Sequence, residues 1–293
     1  MSTLLVGFDS AWTPAKMGAI VGVLRLDDGT YRELGIPAPA TYADAERILL
    51  KWQADLSPST TIVLLDQPTI VRNASGQRPV ENIVASPVSL RFGGVQPANT
   101  SRREMFGTEA PVWGFLSRFG GVPDPLTPGG ETRVFETYPA LMMIALGWML
   151  PDDRSTGRLP KYNPARRNTF LLSDWQHVCK LIAESLNARG LEHLGRWTDV
   201  AGQHPQPQKL DQDRVDACLC LLVALHLVEQ RDCLMIGDTN TGYIIVPYGK
   251  ALHGEIETRC TRTNRIFLDW VRRFRLRMSA HDDSKGATSH RTI

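Results

Sequence analysis

The sequence predicts an α/β fold with a mixed five-stranded core sheet flanked by helices. Three features carry that prediction. Short apolar runs recur at strand length, the first of them are spaced as a hairpin meander, and helical periodicity begins only after the third. The first run, Leu4-Leu5-Val6-Gly7-Phe8, has the length and composition of a buried central strand and ends on a carboxylate, Asp9. Residues 18–24 form the second strand. Asp27-Asp28-Gly29 supplies the positive φ of a tight turn into a third, 31–36. Pro37-Ala38-Pro39 breaks the pattern. Thr41 then caps a helix whose apolar residues Ala45, Ile48, Leu49 and Trp52 recur at helical spacing, and Ser57-Pro58 stops it. The fourth strand, 61–65, leads straight into Asp66-Gln67-Pro68.

A strand–helix–strand crossover is nearly always right-handed and lays the new strand parallel to one already in the sheet. If the fourth strand lies beside the first, the sheet grows away from the meander there. Such a reversal of strand order is where open α/β sheets hold ligands, at the carboxyl ends of the strands. Asp9 and Asp66 both occupy carboxyl ends, so parallel pairing at about 4.8 Å sets them side by side. A fifth parallel strand, 133–136, adds Glu136 to the same rim.

Residues 67–130 are an insertion rich in Gly, Pro and Asn, with short helices expected at 79–91 and 111–119. A connection of that length is uncommon unless it works as a lid or binding loop. It carries Arg72, Arg78, Arg91, Arg102, Arg103 and Arg118, the best candidate for a local basic surface. Tyr138-Pro139 opens a Met-rich helix to about Trp148, and a polar loop covers 151–163. Helices are expected at 164–189 and 210–231, a late hairpin turns at 238–242, and the arginine-rich stretch 259–277 reads as helical. The organisation is therefore one domain, 1–278, with the insertion at about 67–130 and a disordered tail at 279–293.

The 33 basic and 31 acidic residues leave a formal charge of +2, so the chain as a whole is no polyelectrolyte binder and any nucleic-acid surface must be local. No stretch approaches the roughly 18 unbroken apolar residues of a membrane span. The amino terminus has no basic region or cleavage pattern of a signal peptide, and five cysteines without paired spacing suit reduced thiols. Both features point to a cytoplasmic protein.

In Asp213-Arg214-Val215-Asp216-Ala217 the two aspartates lie three apart, on one helical face, at the start of a helix that is apolar nearly all round. Set over the strand rim, that turn crowds four or five acids into one space. Like charges that close cannot all stay ionised without a cation, and hard oxygen ligands favour Mg²⁺ or Mn²⁺. Two such ions about 3.5–4 Å apart would clamp the attacking and leaving oxygens of a phosphodiester displacement. Plainer readings stand beside this one. Glu136 could pair with a loop arginine, Arg78 and Glu81 could form an internal ion pair that orders the insertion, and Asp211 reads as a helix cap. His177, Cys179, Cys218 and Cys220 lack zinc spacing and read as packing residues. Ser10 has no histidine partner for nucleophilic chemistry.

The phrases GFDSAW, LLDQP with a later R-x-x-E (Arg78, Glu81), ETYPA, DRVDACL and GDTNTGYIIVP occur in that order. Together they resemble a family of predicted RNase H-like nucleases, domain of unknown function 429, over most of the chain from Leu4 to Pro247. Glu81 stands where that family more often has Asp. The acids also resemble those of RuvC-type junction resolvases, which carry a D-x-x-D-A signature on the last helix of the fold. The resemblance implies an RNase H-like fold and metal ligands at Asp9, Asp66, Asp213 and Asp216, with Glu136 among the catalytic acids. Arg78, Glu81, Arg102 and Arg103 would then serve substrate binding. The function expected is a metal-dependent nuclease that hydrolyses DNA or RNA by two metal ions. The alternative is an inactive module of the same fold that binds nucleic acid or protein. Phosphotransfer to a small molecule ranks last, because Ser10-Ala11-Trp12-Thr13-Pro14 has no glycine-rich phosphate turn.

Overall fold

The computed structural model describes residues 1–85, 95–148 and 160–277. Strands β1 (Thr3–Asp9), β2 (Gly18–Arg25) and β3 (Tyr31–Glu33) form the antiparallel meander, followed by a short β4 (Ala38–Ala40). Helix α1 (Tyr42–Leu56) crosses over to β5 (Thr60–Leu65), which lies parallel to β1, and β6 (Thr132–Glu136) lies parallel to β5. The order β3-β2-β1-β5-β6 places the reversal between β1 and β5, as the order of elements predicts. The sheet has six strands rather than five. Ala38–Ala40, expected only to break the pattern, pairs with Gly18–Ile20 at the edge, where Pro39 is tolerated because no ladder partner needs its missing N–H. β3 is correspondingly short and ends at Glu33, not at residue 36.

Local chemistry accounts for the entry into this sheet. Leu26 N–H donates to the Thr30 carbonyl at 2.8 Å, Gly29 takes φ +87°, and the Asp28 carboxylate accepts the Thr30 N–H. Thr41 and Asp44 form a reciprocal capping box at the start of α1, and Ser57, at φ +43°, ends it in the left-handed region.

Between β5 and β6 run three short helices, α2 (Pro79–Val84), α3 (Arg103–Phe106) and α4 (Pro111–Arg118). After β6 come α5 (Pro139–Ala145), α6 (Leu172–Asn187), α7 (Glu192–Gly202) and α8 (Lys209–Val228). The hairpin β7 (Cys233–Asp238) and β8 (Gly242–Pro247) precedes α9 (Lys250–Arg262), α10 (Phe267–Trp270) and β9 (Val271–Phe274). The last three strands make a second sheet in the order β8-β7-β9.

Strand alternation splits the core. Leu4, Val6, Phe8, Val63 and Leu65 pack beneath α1 and α4, whereas Leu5, Ile62, Leu64 and Phe135 pack with α8 on the other face. Gly7 and Asp9 share the parity of Leu5 and so face α8. A Cβ on Gly7 would overlap the Ala217 carbonyl oxygen and lie 2.5 Å from the Leu221 nitrogen. The missing side chain is what lets the helix backbone rest on β1. Gly7→Ala is therefore expected to cost about 2–3 kcal/mol in urea denaturation, the scale of an overpacked core. A variant as stable as the wild type would show that α8 is not seated there.

The structure departs from the sequence reading in several places. The expected helix over 164–189 begins only at Leu172. Leu171 N–H donates to the Lys161 carbonyl at 2.7 Å and Lys161 N–H to the Asp174 carboxylate at 2.7 Å, closing a loop where a helix was expected. Helix α7 was not anticipated. The Met-rich helix stops at Ala145, and Gly147 at φ +67° turns the chain away. The arginine-rich stretch 259–277 is not one helix. Asn264 at φ +53° follows α9, and β9 pairs antiparallel with β7, with Val271 and Phe274 inward and the arginines between them outward. Arg273 lies over the Tyr248 ring at 4.0 Å, and Arg275 pairs with Asp232 at 2.7 Å. Arg91, part of the loop 151–163 and the tail from Ser279 lie outside the described residues. All five cysteines are free and buried. Among the described residues no helix is long and apolar enough to cross a membrane.

Candidate functional site

Asp9 ends β1 and Asp66 follows β5. Phe8 is level with Leu65, and the Asp66 N–H donates to the Phe8 carbonyl at 2.9 Å, so the two carboxylates leave neighbouring strands at one level. The residues just after them are locked from behind. Ser10 Oγ donates to Gln67 Oε1 at 2.5 Å, the Tyr42 hydroxyl donates to the same oxygen, and Trp12 Nε1 donates to the Asp66 carbonyl at 2.8 Å. Because α8 is seated on Gly7, its first turns bring Asp213 and Asp216 to this rim. Asp9, Asp66, Asp213 and Asp216 all line one cavity of 740 Å³.

The acids act on one another. Burial pushes the Asp9 carboxyl well above the ordinary value, and the fields of Asp66, Asp216 and Asp213 push it further. Asp66 is raised by burial first and then by Asp216, with Lys209 opposing. Burial lifts Asp216 to about 6, against Lys209 and the hydrogen bond from Tyr162. A carboxyl whose folded value lies above its unfolded one binds more protons when folded, so stability is lost as pH rises between the two. In a chelator, stability is thus expected to fall as pH rises from about 4, with the share due to Asp216 lost by about pH 6 and Asp9 and Asp66 carrying the decline higher. Urea denaturation across that range measures it. Saturating Mn²⁺ should flatten the decline, and a decline unchanged by the ion would remove these acids as its source.

Four buried side-chain nitrogen or oxygen atoms of the described residues lack any hydrogen-bond partner, and two of them line this cavity. They are Asp9 Oδ2 and Gln212 Oε1, both acceptors without a donor. Buried polar atoms are satisfied in the great majority of cases, so two orphan acceptors in one acidic cavity call for a cation or a proton donor. The donor set is all oxygen, which fits a hard divalent ion. Among the described residues no group of three or more His, Cys, Asp or Glu side chains is placed to hold a metal ion. Magnesium does not require such a group, since it is commonly held by one or two carboxylates, waters and substrate phosphates.

Of the other predicted site residues, Glu136 and Arg78 line the same cavity, whereas Glu81, Arg102 and Arg103 do not. Glu136 is level with Leu65, out of phase with Asp66 by one residue, and its carboxylate is occupied. Arg78 donates to it twice, at 2.6 and 2.9 Å, and Thr69 N–H donates at 2.9 Å. Arg78 also donates to Glu81 at 2.7 Å and to the Ile70 carbonyl at 3.1 Å, while Glu81 accepts the Ala98 N–H. Arg78, Glu81 and Glu136 thus form a buried triad that ties the insertion to the sheet, which is the internal pairing the spacing allowed. Glu136 and Arg78 reach the cavity already paired with each other, and Glu81 lies outside it. Arg102, at the start of α3, reaches Gln96 at 3.4 Å, and neither it nor the exposed Arg103 lines the cavity. Asp211 completes the capping box of α8 from its third position, accepting the Gln208 N–H at 2.8 Å, while Gln208 is the cap itself.

Sequence reading missed three side chains at the site. The Tyr162 hydroxyl donates to Asp216 Oδ1 at 2.6 Å, and only the closed loop at 160–171 brings it there. Gln212 Nε2 donates to Asp216 Oδ2 at 2.7 Å. Lys209 forms an ion pair with Asp213. That pair was legible, because 209, 213 and 216 follow the i, i+4, i+7 spacing of one helical face. Burial works against the charge of Lys209, but Asp9, Asp213 and Asp216 outweigh it and raise its ammonium above the ordinary lysine value.

Among curated proteins and among solved structures, none is significantly similar to this chain. Residues 7–240 match the family described as "Protein of unknown function (DUF429)". That span runs from β1 through the turn after β7 and includes all four clustered aspartates, and the chain is a member of the DUF429 family.

Proposed function

We propose that this protein is a metal-dependent nuclease of RNase H-like fold that hydrolyses phosphodiester bonds in DNA or RNA. One observation carries the reading: the orphaned Asp9 Oδ2 sits in a cavity where Asp66, Asp213 and Asp216 also present carboxylates. Asp9, Asp66, Asp213 and Asp216 would hold Mg²⁺ or Mn²⁺, and the ion would supply Lewis acidity toward a phosphate oxygen. The chain's own groups do the rest. Gln67, Ser10 and Tyr42 fix the strand ends, while Tyr162 and Gln212 hold Asp216 in place. Lys16, Lys161 and Arg166 line the same cavity and add positive charge where a phosphodiester backbone would lie.

The test is cleavage of labelled single- and double-stranded DNA and RNA by the full chain with Mn²⁺ or Mg²⁺. Cleavage that stops in EDTA and returns with the metal supports the reading. Cleavage indifferent to EDTA sinks it. A second reading, an inactive module that binds nucleic acid or protein, is favoured by the Lys209–Asp213 pair, which already places a cation among the acids. It requires that Mn²⁺ leave the melting temperature unchanged, whereas an ion that binds the native state raises it.

A further inference from the structure

We infer that Lys209 is a resident counter-cation that competes with a divalent ion for the carboxylate cluster and holds the site's metal affinity down. The inference rests on the metal reading above and concerns how that site is regulated.

Three observations carry it. Among the described residues, the one ion pair made by the four clustered aspartates is Lys209–Asp213. Lys209 begins α8, so its ammonium hangs from the same helical face as Asp213 and Asp216 and its field reaches Asp9 and Asp66 as well. Its side chain is 52% exposed, whereas Asp9 is 5% exposed. The acids are therefore held in place while their counter-charge sits on a flexible stem open to solvent. An ion entering at the orphaned Asp9 Oδ2 meets a positive charge already bonded to a neighbouring ligand, and full occupancy requires that ammonium to leave Asp213. A carboxylate cluster without such a tether would bind the ion more tightly and would be less well balanced in its absence.

The experiment is calorimetric titration of Mn²⁺ into the chelator-treated full chain, comparing wild type, Lys209→Met and Lys209→Arg, with melting temperature as a second readout. Lys209→Gln replaces the methionine variant if that one does not fold. Lys209→Met is expected to bind Mn²⁺ about tenfold more tightly, equivalent to about 1.4 kcal/mol, and to melt lower than wild type without the ion. Lys209→Arg keeps the charge and should match the wild-type affinity. A wild type that binds no Mn²⁺ beside a Lys209→Met that does also supports the competition. Equal or weaker affinity in Lys209→Met overturns it and leaves the metal reading standing. Binding by none of the proteins overturns the metal reading and this inference together.

Discussion

Asp9→Asn is expected to abolish metal-dependent phosphodiester cleavage, by about three orders of magnitude or more, equivalent to about 4 kcal/mol of transition-state stabilisation. The substitution keeps the shape of the side chain and removes its charge. The same variant is expected to be more stable than the wild type in EDTA, by about 1–2 kcal/mol, the usual scale when a strained functional group is relieved. The reason is electrostatic. Asp9 is buried, one of its oxygens has no donor, and three nearby carboxylates raise its proton affinity, so its ionised form costs folding energy when no cation is bound. The gain in melting temperature from Mn²⁺ should shrink in the variant. Cleavage that survives Asp9→Asn would end the nuclease proposal. A variant less stable than wild type in EDTA would mean that the carboxylate is already satisfied.

Arg78→Met is expected to be the most destabilising single change at the edge of the site, costing about 3–5 kcal/mol, because it strands two buried carboxylates without their cation. For a domain of this size that corresponds to a fall in melting temperature of about 10 °C or more. Arg78 is 1% exposed, Glu81 is fully buried, and together with Glu136 they use backbone N–H groups of Thr69, Arg78 and Ala98 to complete their hydrogen bonds. Replacing both Glu81 and Glu136 by Gln in the Arg78→Met background should recover part of the loss, since neutral amides no longer need the guanidinium. No recovery would show that packing of the arginine stem, not charge, is what the triad provides. Glu136→Gln alone separates the two roles proposed for that residue. A large loss of stability with cleavage retained marks a structural carboxylate, and lost cleavage with stability retained marks a catalytic acid.

Much of this arrangement was legible in the amino-acid order. The Asp-Gly turn, the Thr41 cap and the crossover into the strand ending at Asp66 follow from local chemistry, and with the handedness of crossovers they fix the reversal between β1 and β5. Strand and helix periodicity then places Asp9, Asp66, Asp213 and Asp216 on surfaces that can meet. Glu136 was harder to read. The sequence shows a carboxylate at a strand end, but a one-residue difference in register, together with Arg78 arriving from 58 residues upstream, decides that it is consumed by an ion pair. The loop at 160–171 was hidden for a similar reason. Its composition allows a helix, and the bonds from Lys161 to Leu171 and Asp174 override that preference.

By itself, then, the sequence determined the order of the five principal strands, the Thr41-capped helix and the identity of the acids, because these depend on periodicity and on side chains a few residues apart. The tertiary structure alone decided which carboxylates keep an unsatisfied oxygen. It left Asp9 with one, bonded both oxygens of Asp216, and gave Glu136 to Arg78. Those outcomes depend on how closely α8 approaches β1 over Gly7 and on which distant donors the loops deliver, and no pattern of neighbouring residues encodes either.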